Sequence, residues 1–165
     1  MATVAEGGAA QRQTRTRRGS HGAEREARRA ALAAVFEAEF GTRTAEAALE
    51  RALAEAPDEP ASAEHARAIV GAATLHRDSI DALIERIAPA YPVVGLARID
   101  RALLRSALSE VLHCPATPVR VAVAEWVEMA RTYSGEPARR LLNGVLGRVA
   151  DDVAESGREA IPADD

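Results

Sequence analysis

Every apolar stripe in the chain repeats with the period of an α-helix, and no segment alternates with the period of two that a half-buried β-strand requires. Leu32, Val35, Phe36 and Phe40 fall at i, i+3, i+4 and i+8 in a first helix over residues 24–40, which Gly41 stops. A second, over residues 44–56, carries Leu49 and Leu53, and Pro57-Asp58-Glu59-Pro60 reads as a linker. Ser62 is placed to cap a long helix to residue 87, with Ile69, Val70, Ala73, Ile80, Leu83, Ile84 and Ile87 on one side. Pro89 and Pro92 then break the chain.

The next helix, residues 94–113, is apolar around most of its circumference through Leu96, Ile99, Leu103, Leu104, Ala107, Leu108, Val111 and Leu112. A helix coated in this way belongs in the middle of a bundle. Thr117-Pro118 reads as N-cap and N1 of a helix to residue 133, with Val119, Val123, Trp126, Val127 and Ala130 inward. After Ser134-Gly135-Glu136-Pro137, a last helix over 138–155 buries Leu141, Leu142, Val145, Leu146 and Val149. Aromatic residues are only 3% of the chain, so Leu, Val, Ile and Ala must build the core of this compact all-α bundle of six to seven helices.

Charge is distributed unevenly. The net charge is −4, yet residues 1–30 hold seven arginines (Arg12, Arg15, Arg17, Arg18, Arg25, Arg28 and Arg29) against Glu6, Glu24 and Glu26. That region is +4 and the remainder −8, a basic arm on an acidic body. Residues 1–22 lack apolar periodicity and are expected to be disordered when free, as is the polar acidic tail at 156–165.

Arg25, Arg28 and Arg29 open the first helix at its N-terminal end. Cations there oppose the helix dipole at about 0.3–1 kcal/mol each, which acids would avoid, so the cluster suggests an anionic ligand. Guanidinium forks suit phosphate. An RNA strand, a solubilising tail whose arginine stems pack on the bundle, and an acidic protein partner are the three readings these residues leave open.

Signals of catalysis are missing. His21, His65, His76 and His113 have no metal-ligand spacing, His113-Cys114 reads as structural, and no glycine-rich phosphate loop follows a strand. Neither a cofactor nor a metal is expected. Glu125/Glu128 and Asp78/Asp81 read as solvated faces or salt-bridge partners, and the single Cys114 excludes an internal disulfide. No apolar run approaches the ~20 residues of a membrane span and no secretory signal is evident, so a cytoplasmic protein is expected. Trp126 is expected in the core and Gly144 at a close helix–helix contact. Asn143 could equally be a satisfied core amide or a contact residue.

Four blocks, in order and in register over about residues 23–150, resemble the NusB family of bacterial transcription antitermination factors. They are Arg25-Glu26-Ala27-Arg28 leading into Ala31-Leu32 and Val35-Phe36; Ile99-Asp100-Arg101 with Leu104-Arg105, Ala107, Glu110 and Leu112; Thr117-Pro118-Val119 with Val123, Glu125, Glu128 and Ala130; and Leu142-Asn143-Gly144-Val145-Leu146. Phe36-Glu37-Ala38-Glu39 and the arginine arm are similar to actinobacterial members.

The resemblance implies a seven-helix bundle in two subdomains, with residues 23–155 as the RNA-binding domain and no catalysis. It implies binding to the single-stranded boxA element of ribosomal RNA leader transcripts together with NusE, a small-subunit ribosomal protein, within an RNA polymerase antitermination complex. It leaves a homodimer open. Carried over by position, Arg25 and Arg28 face RNA with the arm before them, Arg139, Arg140 and Asn143 form the last-helix edge near the RNA, and Asp100, Arg101 and Arg105 lie at the partner surface. Leu141 stands where members commonly carry an aromatic, Ala124 where they carry asparagine, and Trp126 where they carry a small residue. Those departures keep two alternatives: a protein-interaction module with weakened RNA binding, and an RNA-docking domain serving an rRNA methyltransferase whose catalytic unit lies on another chain.

Overall fold

The computed structural model describes residues 7–56 and 60–161, with the side chains of 21–56, 61–159 and 161. Seven α-helices follow in order: α1 Gly7–Ala38, α2 Ala45–Glu55, α3 Pro60–Leu75, α4 Arg77–Ile87, α5 Arg98–His113, α6 Val119–Tyr133 and α7 Glu136–Ser156. Short 3₁₀ turns sit at Val93–Gly95 and Arg158–Ala160, and no strand occurs among the described residues.

Local chemistry sets several helix ends. α1 ends at Ala38, two residues short of the expected end at 40, and a turn leads to Gly41, which adopts φ +73°, a conformation that glycine reaches at no steric cost, and donates to the Ala38 carbonyl. Thr44 caps α2 by accepting a hydrogen bond from the Ala47 amide at 3.2 Å. Ser62 does not cap α3, because the helix already starts at Pro60, where a missing N–H is no loss. The Thr117-Pro118 signal holds one residue out of register: Pro118 takes the cap position, and Thr117 is buried. The linker at residues 57–59 lies outside the described residues.

The helix predicted over 62–87 is two helices. His76 leaves the helical region at φ −107°, ψ 21°, between α3 and α4. Its ring stacks on that of His113, with centroids 3.8 Å apart and 10° between planes, and Ser79 Oγ donates to its carbonyl at 3.0 Å. The re-aimed α4 buries Ile80, Leu83 and Ile84 against α5 and α7. Neither proline nor glycine marks this break, and the apolar stripe runs on through it, so periodicity reads one helix.

Helix α5 is the axis of the molecule. Every residue from Ala102 to Val111 is buried, and α1, α3, α4, α6 and α7 all pack on it. Around it, α1, α2 and α3 form one group, while α6 and α7 pair closely and α4 joins them on the other side.

At the N-terminal end, the backbone of residues 7–22 runs helically into the rest of α1. Alanine, glutamine and arginine are good helix formers, and this stretch holds no proline. The side chains of Arg12, Arg15, Arg17 and Arg18 lie outside the described residues. After α7, Arg158 turns back to donate to the carbonyls of Val111 at 3.0 Å and Thr117 at 2.7 Å, and Ile161 packs on the core. The tail therefore stays on the body through Ile161, and residues 162–165 lie outside the described residues.

Candidate nucleic-acid interface

Three arginines near the start of the apolar part of α1 do not share a fate. At 100° per residue, Arg25 and Arg29 lie about 40° apart on one face, with Arg28 turned off it toward the core. Arg28 is 1% exposed and forms a fork-to-fork pair with Glu110 at 2.9 and 2.8 Å. Arg28, expected to face RNA, is a core residue: its guanidinium is consumed inside the bundle.

Glu110 is the centre of that buried site. Its Oε1 accepts from Arg28 and from His65 Nε2 at 2.8 Å, and its Oε2 accepts from Arg28 and from Trp126 Nε1 at 2.6 Å. Burial works to raise the carboxyl, but the donors His65, Arg28 and Trp126, with the charge on Arg28, outweigh it and bring it down to about 2. Sequence reasoning missed this hub. The available signal was a lone carboxylate on the inward stripe of a helix apolar nearly all round.

Arg25 and Arg29 remain exposed. They overlie a groove of about 290 Å³ between α1 and α6, lined also by Ala124, Glu125, Glu128, Met129, Thr132 and Tyr133. Arg25 holds Glu125 across the groove, Nε to Oε2 at 3.1 Å and Nη2 to Oε1 at 3.3 Å. Arg29 pairs with Glu26, and Glu128 pairs with Arg131, so Glu125 and Glu128 are the ion-pair partners their spacing suggests. Tyr133, 46% exposed, lines the same groove as the two arginines, an aromatic residue that the sequence did not single out. Arg139, at the start of α7, pairs with Glu136 at 2.6 Å, and the charge of Glu128 also reaches it.

Arg140 opens into a different groove of about 590 Å³ with Tyr91, Leu96, Asp100, Leu141 and Gly144. Asn143 is exposed, so it is not a core amide. Gly144 is exposed as well, and a Cβ built on it would meet nothing within 4 Å. The close helix contact expected at Gly144 is absent.

Of the three residues assigned to a partner surface, two turn inward. Arg105 is 7% exposed, binds both oxygens of Asp81 at 2.8 and 2.7 Å and also holds Glu39. Arg101 binds Glu39 at 2.8 Å and donates to the carbonyls of Val93, Val94 and Leu96. Both tie the α4–α5 connection to the end of α1, which removes Arg105 as a contact residue. Asp100 accepts from Ser134 Oγ at 2.6 Å and lines the groove with Arg140. Beside this network Phe40 is 53% exposed, with the Arg98 guanidinium 4.9 Å from its ring centroid.

His113 and Cys114 are structural. Burial, and the neighbouring His76, lower His113, while burial and Glu110 push the Cys114 thiol up to about 11. No helix among the described residues is long and apolar enough to cross a membrane.

Comparison with known proteins places this architecture. The profile of the NusB family matches residues 25–151. A transcription antitermination protein NusB from Dehalococcoides mccartyi (strain ATCC BAA-2266 / KCTC 15142 / 195) is 36% identical over 135 residues, 82% of this chain and 94% of that protein. The one from Symbiobacterium thermophilum is 41% identical over 133 residues, 76% and 87% of the two chains. Among solved structures, T. maritima NusB superposes with a TM-score of 0.72 at 31% identity, covering 78% of this chain and 91% of that one. A crystal structure of the antitermination factors NusB and NusE in complex with dsRNA matches in fold, with a TM-score of 0.71 at 20% identity over 79% of this chain and 97% of that one.

Proposed function

The chain belongs to the NusB family of transcription antitermination proteins, and from that membership we propose that it binds boxA RNA of ribosomal RNA leader transcripts together with NusE, as a non-catalytic member of a cytoplasmic RNA polymerase antitermination complex. The observation that carries the RNA reading is the pair Arg25 and Arg29, exposed on one face of α1 and lining one groove with the half-exposed Tyr133. Guanidinium groups neutralise phosphate, and an exposed aromatic ring gives an unpaired base a stacking surface worth about 1–3 kcal/mol. Arg12, Arg15, Arg17 and Arg18, whose side chains lie outside the described residues, would add further cations, and Arg139, Arg140 and Asn143 would form the far edge on α7. Arg28 has no place in it.

The NusB relative solved with NusE and dsRNA supports NusE as the protein partner. On this chain the exposed Phe40 and Arg98, with half-buried Asp100, offer that partner an apolar and charged surface at the α1–α5 end of the bundle.

The test is a filter-binding series with boxA RNA and a scrambled RNA at several salt concentrations, with and without NusE. Binding should prefer boxA, weaken steeply with salt and tighten with NusE. Association with NusE that is indifferent to RNA would favour the protein-interaction module instead.

A further inference from the structure

We propose that Glu125 guards Arg25 against polyanions: its carboxylate occupies the guanidinium fork in the free protein, and an RNA phosphate must displace it to bind. This inference rests on the RNA-binding reading above and deepens it.

The Arg25–Glu125 contact is long-range and two-pronged, joining α1 to α6 through Nε and Nη2 at 3.1 and 3.3 Å. A carboxylate and a phosphate offer a guanidinium fork the same pair of oxygen acceptors, so the two compete for one site. The pair adds little to the fold, because Arg25 has 59% of its side chain in solvent and exposed ion pairs contribute weakly. Nor is Glu125 needed to dock α1, since the buried Arg28–Glu110 pair already fixes that helix on α5.

Its effect is electrostatic. A phosphate arriving at Arg25 gives up the full attraction of a free cation and leaves a displaced carboxylate beside the strand. Any RNA held by backbone charge alone is disfavoured by that exchange. An RNA that also makes base contacts, as on the neighbouring Tyr133, has a compensating source of affinity. The acidic body of the chain, −8 outside residues 1–30, acts in the same direction over longer range.

The experiment is a double-mutant cycle on the full chain: wild type, Glu125→Gln, Arg25→Gln and the double variant, with Glu55→Gln as a control for charge removal on the exposed end of α2. Dissociation constants are measured for boxA RNA and a scrambled single strand at several salt concentrations. Glu125→Gln should tighten both RNAs by about two- to fivefold, the range set by an exposed ion pair, and steepen the salt dependence. The gain should disappear when Arg25 is also replaced, and Glu55→Gln should show none of it. A gain that survives in the Arg25→Gln background, or that Glu55→Gln matches, overturns the proposal. So does weaker binding by Glu125→Gln, which would make Glu125 an aid that orients Arg25. If wild type binds RNA and Glu125→Gln brings no gain, only the guard fails. If neither binds RNA at low salt, the guard and the RNA-binding reading fall together.

Discussion

Arg28 and Glu110, 82 residues apart in sequence, meet inside the bundle as a bidentate ion pair with side chains 1% and 0% exposed. The pair fixes α1 on α5, and its remaining acceptor positions are filled by His65 of α3 and Trp126 of α6. Four helices therefore share one carboxylate. A buried pair of this kind is not in itself strongly stabilising, but losing one member strands the other charge in the core.

Arg28→Ala should accordingly destabilise the protein by about 3–5 kcal/mol, read from urea unfolding followed by circular dichroism. Replacing exposed Arg25 should shift stability by less than about 1 kcal/mol. Equal losses from the two substitutions would contradict the division between core and surface arginine.

Acid should act through the same carboxylate. The folded value of Glu110, about 2, lies below its ordinary value of 4.5. Its contribution is complete above about pH 4.5 and is lost as the pH falls from there toward 2, because the unfolded chain takes up the proton first. Wild type should lose stability across that window more steeply than Glu110→Gln. Parallel pH profiles for the two proteins would show that other carboxylates carry the acid sensitivity.

Trp126→Phe keeps most of the ring volume and removes the donor to Glu110 Oε2. The expected loss is about 1–3 kcal/mol, the penalty for an acceptor left partly unsatisfied in the core. RNA affinity at a temperature where the variant is fully folded should stay unchanged, since Trp126 is 0% exposed. A drop in RNA affinity without a drop in stability would place the indole in the binding site.

Arg25→Ala with Arg29→Ala should weaken binding to boxA and scrambled RNA alike. It should also lower the slope of log affinity against log salt by about 0.7 for each phosphate that is no longer neutralised. Asn143→Ala should instead reduce the preference for boxA and leave the slope unchanged, because an amide reads groups other than charge. An unchanged slope in the arginine variant would remove Arg25 and Arg29 from the site.

Gly144 lies inside α7, exposed, with open space where a Cβ would stand. Gly144→Ala should raise stability by about 0.5–1 kcal/mol in thermal melts. If RNA approaches the α7 backbone at Asn143-Gly144, the same substitution should weaken boxA binding while the protein becomes more stable.

How far the site was legible follows from the range of the forces involved. Arg25 and Arg29 could be picked out as exposed cations because their spacing puts them on one helix face. Arg28 lies one residue away and belongs to the core, because Glu110 waits for it on another helix. Local sequence contains no trace of that partner. Arg105, read as a surface contact, turns inward for the same reason, toward Asp81 and Glu39. Tyr133 gains its place only when α1 and α6 come together to form the groove.

The all-α class, the central α5 and the ends at Gly41 and Thr44 follow from the sequence alone, since helix period, caps and glycine stops act within a few residues. The break at His76, the four-helix junction on Glu110 and the separation of core arginines from surface arginines were decided only in the tertiary structure. There, desolvation and charge pairing act between residues tens of positions apart, and burying an unpaired charge is too unfavourable for local propensity to override.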